Sequence, residues 1–342
     1  TMLRRFAMSI RESRDYCAFW EIMFNGAPCP VDYTDDKDFW YNLPANFDVI
    51  DTCLRMFHWT GDQRYYMEEF RNFYRLTAEY YIRRWDRDGD GAIERQPGSG
   101  RRGLASYDES DRQDGYKIAA DLLAAQYRGL EGYAQMLQIA GEPVLAAEYR
   151  QKAKKLQDWF ESAWWSQEEQ AYAAVWFGGQ KFGFEYMGTI ASMPIYYSLI
   201  RDPVRRRKQL QYIITHCADC VEEMSYHAEI FWRCGLDDAG RKAFLAMTNP
   251  ALKRREYPEV SYAAIGAIVT GFMGVAPDTA SGTLQTRAAL NPGEFAQLND
   301  LPLWGGTISL LHEGRTRSTL TNRTERPVLW LPEGAAAAIP VA

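Results

Sequence analysis

Two short segments of the 342-residue chain place carboxylates beside aromatic residues, each just before a predicted apolar helix. The first is Tyr107-Asp108-Glu109-Ser110, and the second is Tyr257-Pro258-Glu259-Val260-Ser261-Tyr262. A pair of carboxyl groups can hydrolyse a glycosidic bond when one protonates the leaving oxygen and the other activates a water molecule. The sequence therefore suggests an acid–base pair formed by Asp108 and Glu259.

Each of these carboxylates also has a structural alternative. Asp108 could cap a turn, and Ser261 could cap the following helix and leave Glu259 as a solvated surface group. To carry a proton near neutral pH, Asp108 would need a raised pKa, through burial or through a neighbouring carboxylate such as Glu109. Position in the chain alone leaves both readings open.

Composition excludes several classes of protein. The chain is 46% hydrophobic and 25% charged, which is typical of a globular protein. A net charge of −6 argues against a nucleic-acid partner, and no apolar run approaches the roughly 20 residues of a membrane span. Because the chain opens with Thr1-Met2, the sequence leaves open whether residues precede it and in which compartment the protein works. The sequence also leaves the oligomeric state open.

Hydrophobic periodicity predicts a mainly α chain made of helix pairs. The long connections 86–116, 166–184 and 249–260 are rich in charged and aromatic residues, which favours functional loops at one rim of an α/α toroid. After Ala276 the pattern changes to short β-type runs, so we expect a helical domain over 1–276 and a small β domain over 277–342. The predicted helices cover 44–60, 63–85, 117–140, a helix starting at Pro143, 185–200, 203–223, 225–235, 237–248 and 261–274.

Two patterns raise the question of a metal. The run Asp86-Arg87-Asp88-Gly89-Asp90 resembles the start of a calcium loop, but its twelfth position is Pro97, where the motif needs a bidentate Glu. Cys217-x-x-Cys220 has no second ligand pair. We therefore expect no cofactor, with calcium at Asp86, Asp88 and Asp90 left open as an alternative.

The loop and the helix after it also resemble a known family. Leu104-Ala105-Ser106-Tyr107-Asp108-Glu109-Ser110, followed by Ala120-Asp121-Leu122-Leu123-Ala124, resembles the Gly-x-Asp-Asp-x-Pro … Asp-Leu-Asn-Ala progression of six-hairpin glycosidases. The likeness is nearest to bacterial members of glycoside hydrolase family 63, and the trailing β segment resembles that of α-L-rhamnosidases. Ser106, Asp111 and Leu123 depart from the pattern.

This resemblance implies an (α/α)6 barrel and an inverting mechanism, with Asp108 as general acid and Glu259 as general base. Aromatic side chains suit stacking on sugar rings, although Trp85 and Tyr262 could equally be core. Arg102 and Glu185 are candidates for binding hydroxyl groups, and Glu109 is a further substrate-binding candidate. The stacking candidates are Trp40, Tyr41, Trp85, Trp176, Phe177 and Tyr262, and Tyr107 is a further substrate-binding candidate.

The expected function is an inverting, exo-acting glycosidase that removes an α-linked sugar from an oligosaccharide or polysaccharide. The alternatives are an α-L-rhamnosidase, a phosphorylase on the same barrel, and a non-catalytic carbohydrate-binding protein. A phosphorylase would need a cationic phosphate site, for which Arg101 and Arg102 are the obvious source.

Overall fold

The computed structural model describes residues 2–108, 115–184, 188–216 and 221–342. Contacts divide the chain into two compact units, one of residues 1–54 with 63–217 and one of residues 55–62 with 218–342. The long helix Ala45–Thr60 thus contributes its last part to the second unit. The predicted domain boundary after residue 276 stays a prediction.

The first unit is built mainly from helices, and a π-helical turn, Leu76–Tyr81, joins two of them. Among the described helices of the whole chain, none combines the length and hydropathy needed to cross a bilayer. The prediction of a mainly α chain is confirmed. The helices of this unit are Met2–Ser9, Ala45–Thr60, Glu68–Arg75, Ile82–Trp85, Ala120–Ile139, Pro143–Ala163, Thr189–Tyr196 and Pro203–His216.

The hairpin of Ala120–Ile139 and Pro143–Ala163 shows how the sequence specifies these pairs. Gly141 adopts φ +81°, which a glycine reaches at little steric cost, and Pro143 then starts the next helix at its favoured first position. Helical spacing predicts an apolar face from Ala146 to Ala163, and this face is buried at every position except Ala163, where the helix ends. Trp164 is buried instead. The buried positions are Ala146, Tyr149, Ala153, Leu156 and Phe160.

Short strands tie two predicted loops to this helical framework. Tyr41–Asn42 pairs in parallel with Arg102–Leu104. Val175–Gly178 pairs with Lys181–Gly183 and with Ile118–Ala119, so Trp176 lies opposite Ile118 just before the helix Ala120–Ile139. The connection 166–184 is therefore not the long loop that was predicted, because it folds into hairpins whose strands are only two to four residues long.

The second unit combines helices with two small sheets, and strands replace helices after Ala276 as predicted. One sheet has the strand order Ala276–Asp278, Thr283–Thr286, Val328–Pro332, Ile339–Val341, with a parallel central pair. The other is an antiparallel meander of Phe295–Leu303, Gly306–Glu313 and Arg317–Arg323. Trp304, Leu284, Ile308 and Trp330 lie in their shared core. The helices are Val221–Arg233, Asp237–Met247 and Pro258–Gly266, the last continued by a π-helical turn, Ala267–Phe272.

Candidate active site

A buried carboxylate at the start of the helix Ala120–Ile139 holds the segment that precedes Asp108. Asp121 is 0% exposed, and its carboxylate accepts hydrogen bonds from the Ser106 hydroxyl at 2.6 Å and from the Tyr107 backbone N–H at 2.9 Å. It also accepts the backbone N–H of Leu122 at 2.7 Å. Three donors on one carboxylate fix the backbone at Ser106 and Tyr107 relative to the helix.

Asp108 is connected to the same cluster through its backbone. Its N–H donates to the Ser106 hydroxyl oxygen at 2.9 Å, and the Tyr116 hydroxyl donates to its carbonyl oxygen at 3.4 Å. The residue is half-buried. Glu109, proposed as its neighbouring carboxylate, lies outside the described residues.

A second carboxylate, Asp48, lies in the first turn of the helix Ala45–Thr60. It accepts hydrogen bonds from the hydroxyl groups of Tyr107 and Tyr197, the latter at 2.7 Å. Asn42 donates to the Tyr107 carbonyl at 3.4 Å. Tyr107 is therefore held at its N–H, its carbonyl and its hydroxyl, which leaves the residue before Asp108 little freedom.

Burial shifts the proton affinity of both carboxylates. It raises the pKa of Asp48 to about 7, with the charges of Asp51 and Asp121 adding to the rise and the two tyrosine hydroxyls opposing it. Burial likewise raises the pKa of Asp121 to about 7, against its three donors and with the charge of Asp108 adding to the rise. Asp48 retains some solvent-exposed surface, but the protein around it is dense enough to disfavour the charged form. Near neutral pH each group therefore exchanges a proton readily.

Glu259 has a different local setting from the one predicted. The helix begins at Pro258, so Glu259 lies in its first turn, and its side chain is exposed. Ser261 cannot cap this helix because it lies inside it; Tyr257 occupies the capping position and packs under the Arg254 guanidinium at 4.4 Å. Glu259 belongs to the second unit and Asp108 to the first. Joint action of the two carboxylates stays a proposal.

The aromatic candidates divide by exposure. Tyr41 and Trp85 are 0% and 1% exposed, which favours core packing over sugar stacking. Trp176 is also mostly buried, whereas Trp40 is half-buried and donates from its indole N–H to Asn42 at 2.9 Å. Tyr262 is 74% exposed, so it is not a core residue in this structure.

The arginines proposed for binding hydroxyls or phosphate have protein partners. Arg102 pairs with Asp15 at 2.9 Å, and Arg101 pairs with Asp38 at 2.8 Å. These ion pairs favour a structural role for both side chains. Glu185, the remaining candidate, lies outside the described residues, as do Cys217 and Cys220.

The three aspartates of the calcium-like turn lie together, with one carboxylate oxygen of each within 4.8 Å of the others. Backbone N–H groups already donate to them, including Gly89 and Gly91 to Asp86 and Ala92 to Asp90. This is how a tight Asp/Gly turn satisfies its backbone. Calcium binding by Asp86, Asp88 and Asp90 stays a prediction, which calorimetric titration with calcium would test.

Sequence reasoning missed the role of Asp48 and Asp121, although both carry a signal. Each is an acidic residue at the start of a helix that is otherwise mostly apolar on the buried side. A carboxylate is almost never fully buried without partners, so its position on such a face indicates a hydrogen-bonding role. The partner residue Tyr197 carries no comparable signal.

Comparison with known proteins finds a likeness of fold and no likeness of sequence. No protein-family model matches the chain, and no curated protein sequence matches it. Among solved structures, it resembles a GH78 family rhamnosidase of Bacillus sp. GL1, with TM-score 0.59 and 13% identity over 86% of this chain and 34% of that one. A putative kojibiose phosphorylase from the human microbiome gives TM-score 0.59 and 8% identity over 99% of this chain and 52% of that one.

An α-L-rhamnosidase from Dictyoglumus thermophilum gives TM-score 0.57 and 13% identity, over 99% of this chain and 40% of that chain. The chain thus spans between a third and about half of the length of these structures. At such low identity the likeness shows the fold alone, since one fold supports many activities.

Proposed function

We propose that the chain is the glycosidase part of a six-hairpin enzyme, an (α/α)6 barrel that hydrolyses a terminal α-linked sugar with inversion. Asp108 is the general acid and Glu259 the general base. The observation that carries the proposal is the anchoring of Ser106, Tyr107 and Asp108 by a buried carboxylate at a helix start. The fold likeness to two rhamnosidases and a phosphorylase supports it.

In the proposed reaction the Asp108 carboxyl group gives its proton to the glycosidic oxygen as the bond to the anomeric carbon breaks. Glu259 takes a proton from a water molecule that attacks that carbon from the opposite face. The products are a free alcohol and a sugar of inverted configuration. Asp108 ends as a carboxylate and Glu259 as a carboxylic acid, and exchange with solvent restores both.

Several features of the first unit suit this chemistry. The Asp121 carboxylate fixes the backbone before Asp108, which positions a general acid without using its own oxygens. Burial raises the pKa values of Asp48 and Asp121 to about 7, so both carboxyl groups beside this segment exchange protons near neutral pH.

The fold likeness supports an order in which to test substrates. Because two of the similar structures are rhamnosidases, α-L-rhamnosides are the first substrates to test, followed by α-glucosides as expected from the family 63 resemblance. Hydrolysis is favoured over phosphorolysis because Arg101 and Arg102 are paired with Asp38 and Asp15.

The deciding experiment is a panel of glycosides with the anomer of the product followed by proton NMR. We expect one α-linked glycoside to give a product of inverted configuration, and the Asp108→Asn and Glu259→Gln variants to lose that activity. If both variants hydrolysed the glycoside at the wild-type rate, the assignment of Asp108 and Glu259 as catalytic residues would be wrong. A wild-type protein that binds oligosaccharides but hydrolyses none would be a carbohydrate-binding protein instead.

A further inference from the structure

A cleft of about 560 Å³ opens in the first unit, beside the anchored segment but separate from its carboxylates. Its size falls within the range of small-molecule sites. Its walls come from residues 87–88, 94–100 and 115–117, together with Phe177.

A buried carboxylate in the wall lacks full compensation. Glu94 is 5% exposed, and its Oε2 has no hydrogen-bond partner among the described residues. The nearest charge is Lys117 Nζ at 3.6 Å, an ion pair too long to count as a hydrogen bond. Burial raises the pKa of Glu94, and Lys117 opposes the rise. A buried acceptor without a donor is costly, so the site gains when a ligand supplies one.

A second buried polar group in the wall also lacks a hydrogen-bond partner among the described residues. The Ser99 hydroxyl is buried and also lacks a partner within the described part of the chain. A serine hydroxyl can both donate and accept. Glu94 and Ser99 together therefore offer one strong acceptor and one group of either kind, which is what sugar hydroxyl groups need.

Phe177 adds an apolar surface to the same cleft. Its ring is partly exposed, lies 6.5 Å from the Tyr116 ring in an edge-on arrangement, and has Lys181 Nζ 4.7 Å from its centre. Aromatic rings pack well against the C–H faces of flat apolar groups. The cleft thus combines an apolar platform with polar groups that have unused hydrogen-bonding capacity.

Tyr116 connects the cleft to the proposed general acid. It lines the cleft, and its hydroxyl donates to the Asp108 carbonyl oxygen at 3.4 Å. A general acid protonates the oxygen of the leaving group, so a cleft on its flank is suited to hold that group.

We propose that this cleft binds a neutral sugar unit on the leaving-group side of the scissile bond, with Glu94 and Ser99 on its hydroxyls and Phe177 against its ring. The assignment to the leaving-group side rests on the proposed function. A neutral ligand fits better than an anion because Arg87, Arg95 and Lys117 are offset by carboxylates. Those carboxylates are Asp88 and Glu94 in the wall, with Asp86 and Asp90 in the adjoining turn.

The test is ligand-observed NMR with the full chain, using D-glucose, L-rhamnose and inorganic phosphate as separate probes. We expect one of the two sugars to bind the wild type, and Glu94→Ala and Phe177→Ala each to weaken that binding at least about 10-fold. Glu148→Gln, an exposed glutamate of the same unit, is the matched control and should bind like the wild type. The two changes alter different walls of the cleft. If Glu94→Ala fails to fold, sugar binding by Phe177→Ala therefore still tests the cleft assignment.

Failure of this inference and failure of the proposed function are distinguishable. The cleft assignment is overturned if the wild type binds neither sugar, if only phosphate binds, or if both cleft variants bind like the wild type. Asp108→Asn should bind the sugar normally while losing hydrolysis. Sugar binding that depends on Glu94 and Phe177 in a protein without hydrolytic activity would support the cleft and overturn the hydrolase.

Discussion

The Ser106 hydroxyl donates to the Asp121 carboxylate at 2.6 Å, although the two residues are 15 positions apart. The same hydroxyl oxygen accepts the Asp108 backbone N–H at 2.9 Å. One hydroxyl group thus links the start of a buried helix to the backbone of the proposed general acid. The geometry of Asp108 depends on a residue that need never touch substrate.

Removing this link should lower turnover more than substrate affinity. We expect Ser106→Ala and Asp121→Asn to reduce kcat about 10- to 100-fold while KM changes less than about 3-fold, because the acid is misplaced and the binding surface is kept. Each change also leaves buried partners unsatisfied, at a cost of about 1–3 kcal/mol in the free energy of unfolding. Steady-state kinetics and urea denaturation measure both. Ser162→Ala, which removes an exposed hydroxyl bonded to its own helix, is the control; a parallel fall in that variant would contradict the assignment.

The two carboxylates proposed for catalysis should differ in their dependence on the leaving group. Asp108→Asn should slow hydrolysis of a disaccharide about 100- to 10,000-fold but affect an activated aryl glycoside much less, since a good leaving group needs no proton. Glu259→Gln should slow both substrates equally. Initial rates on the two substrate types decide this, with Glu256→Gln, an exposed neighbour of Glu259, as control. Equal losses in Asp108→Asn on both substrates would argue against its role as the acid.

The raised pKa values of Asp48 and Asp121 predict a dependence of stability on pH. Because their folded pKa of about 7 lies above the unfolded value of 3.8, the folded state binds more protons between these limits. Stability should therefore fall as pH rises from about 4 to 7, and level off above. Asp36 acts in a separate window, since its pKa is lowered to about 2 and its contribution is lost only in stronger acid.

Denaturation of the wild type and of Asp48→Asn over pH 4 to 8 tests this dependence. The variant should show a shallower fall because one titrating group is gone while Tyr107 and Tyr197 keep an acceptor. Identical slopes in the two proteins would contradict the assignment of a raised pKa to Asp48.

A packing prediction concerns Gly103, whose φ is +69°. A Cβ at this position would lie 2.2 Å from the Trp85 ring. We expect Gly103→Ala to lower the free energy of unfolding by about 2–4 kcal/mol, from the clash and the unfavourable backbone angle. Gly141→Ala is the matched control, since Gly141 also has positive φ (+81°) but nothing within 4 Å of an added Cβ; it should cost about 1 kcal/mol. If both variants lost a similar amount of unfolding free energy, the clash with Trp85 would not explain the effect of Gly103→Ala.

The helices and the change to strands after Ala276 were predictable because apolar periodicity over ten or more residues reports burial directly. The strands Tyr41–Asn42 and Ile118–Ala119 could not be predicted, because a strand of two residues is too short to show an alternating pattern. Trp85 is a stacking candidate by residue type alone. Sequence composition cannot distinguish an exposed ring in a binding cleft from a buried ring packed against Gly103. Asp121 lies in the segment that resembles the family motif, but its hydrogen bonds to Ser106 and Tyr107 depend on how the loop folds back onto the helix, which no local pattern encodes.

The last part of the helix Ala45–Thr60 has a consequence for the order of folding. The Trp304 indole N–H donates to the His58 carbonyl at 2.7 Å, and Trp59 packs in the core around Trp304 and Trp330. A ribosome releases His58 and Trp59 some 246 residues before their partner Trp304. We expect the end of this helix to stay solvent-exposed until Trp304 and the strands around it have been synthesised. The second unit can therefore fold only after two segments far apart in the sequence have both left the ribosome.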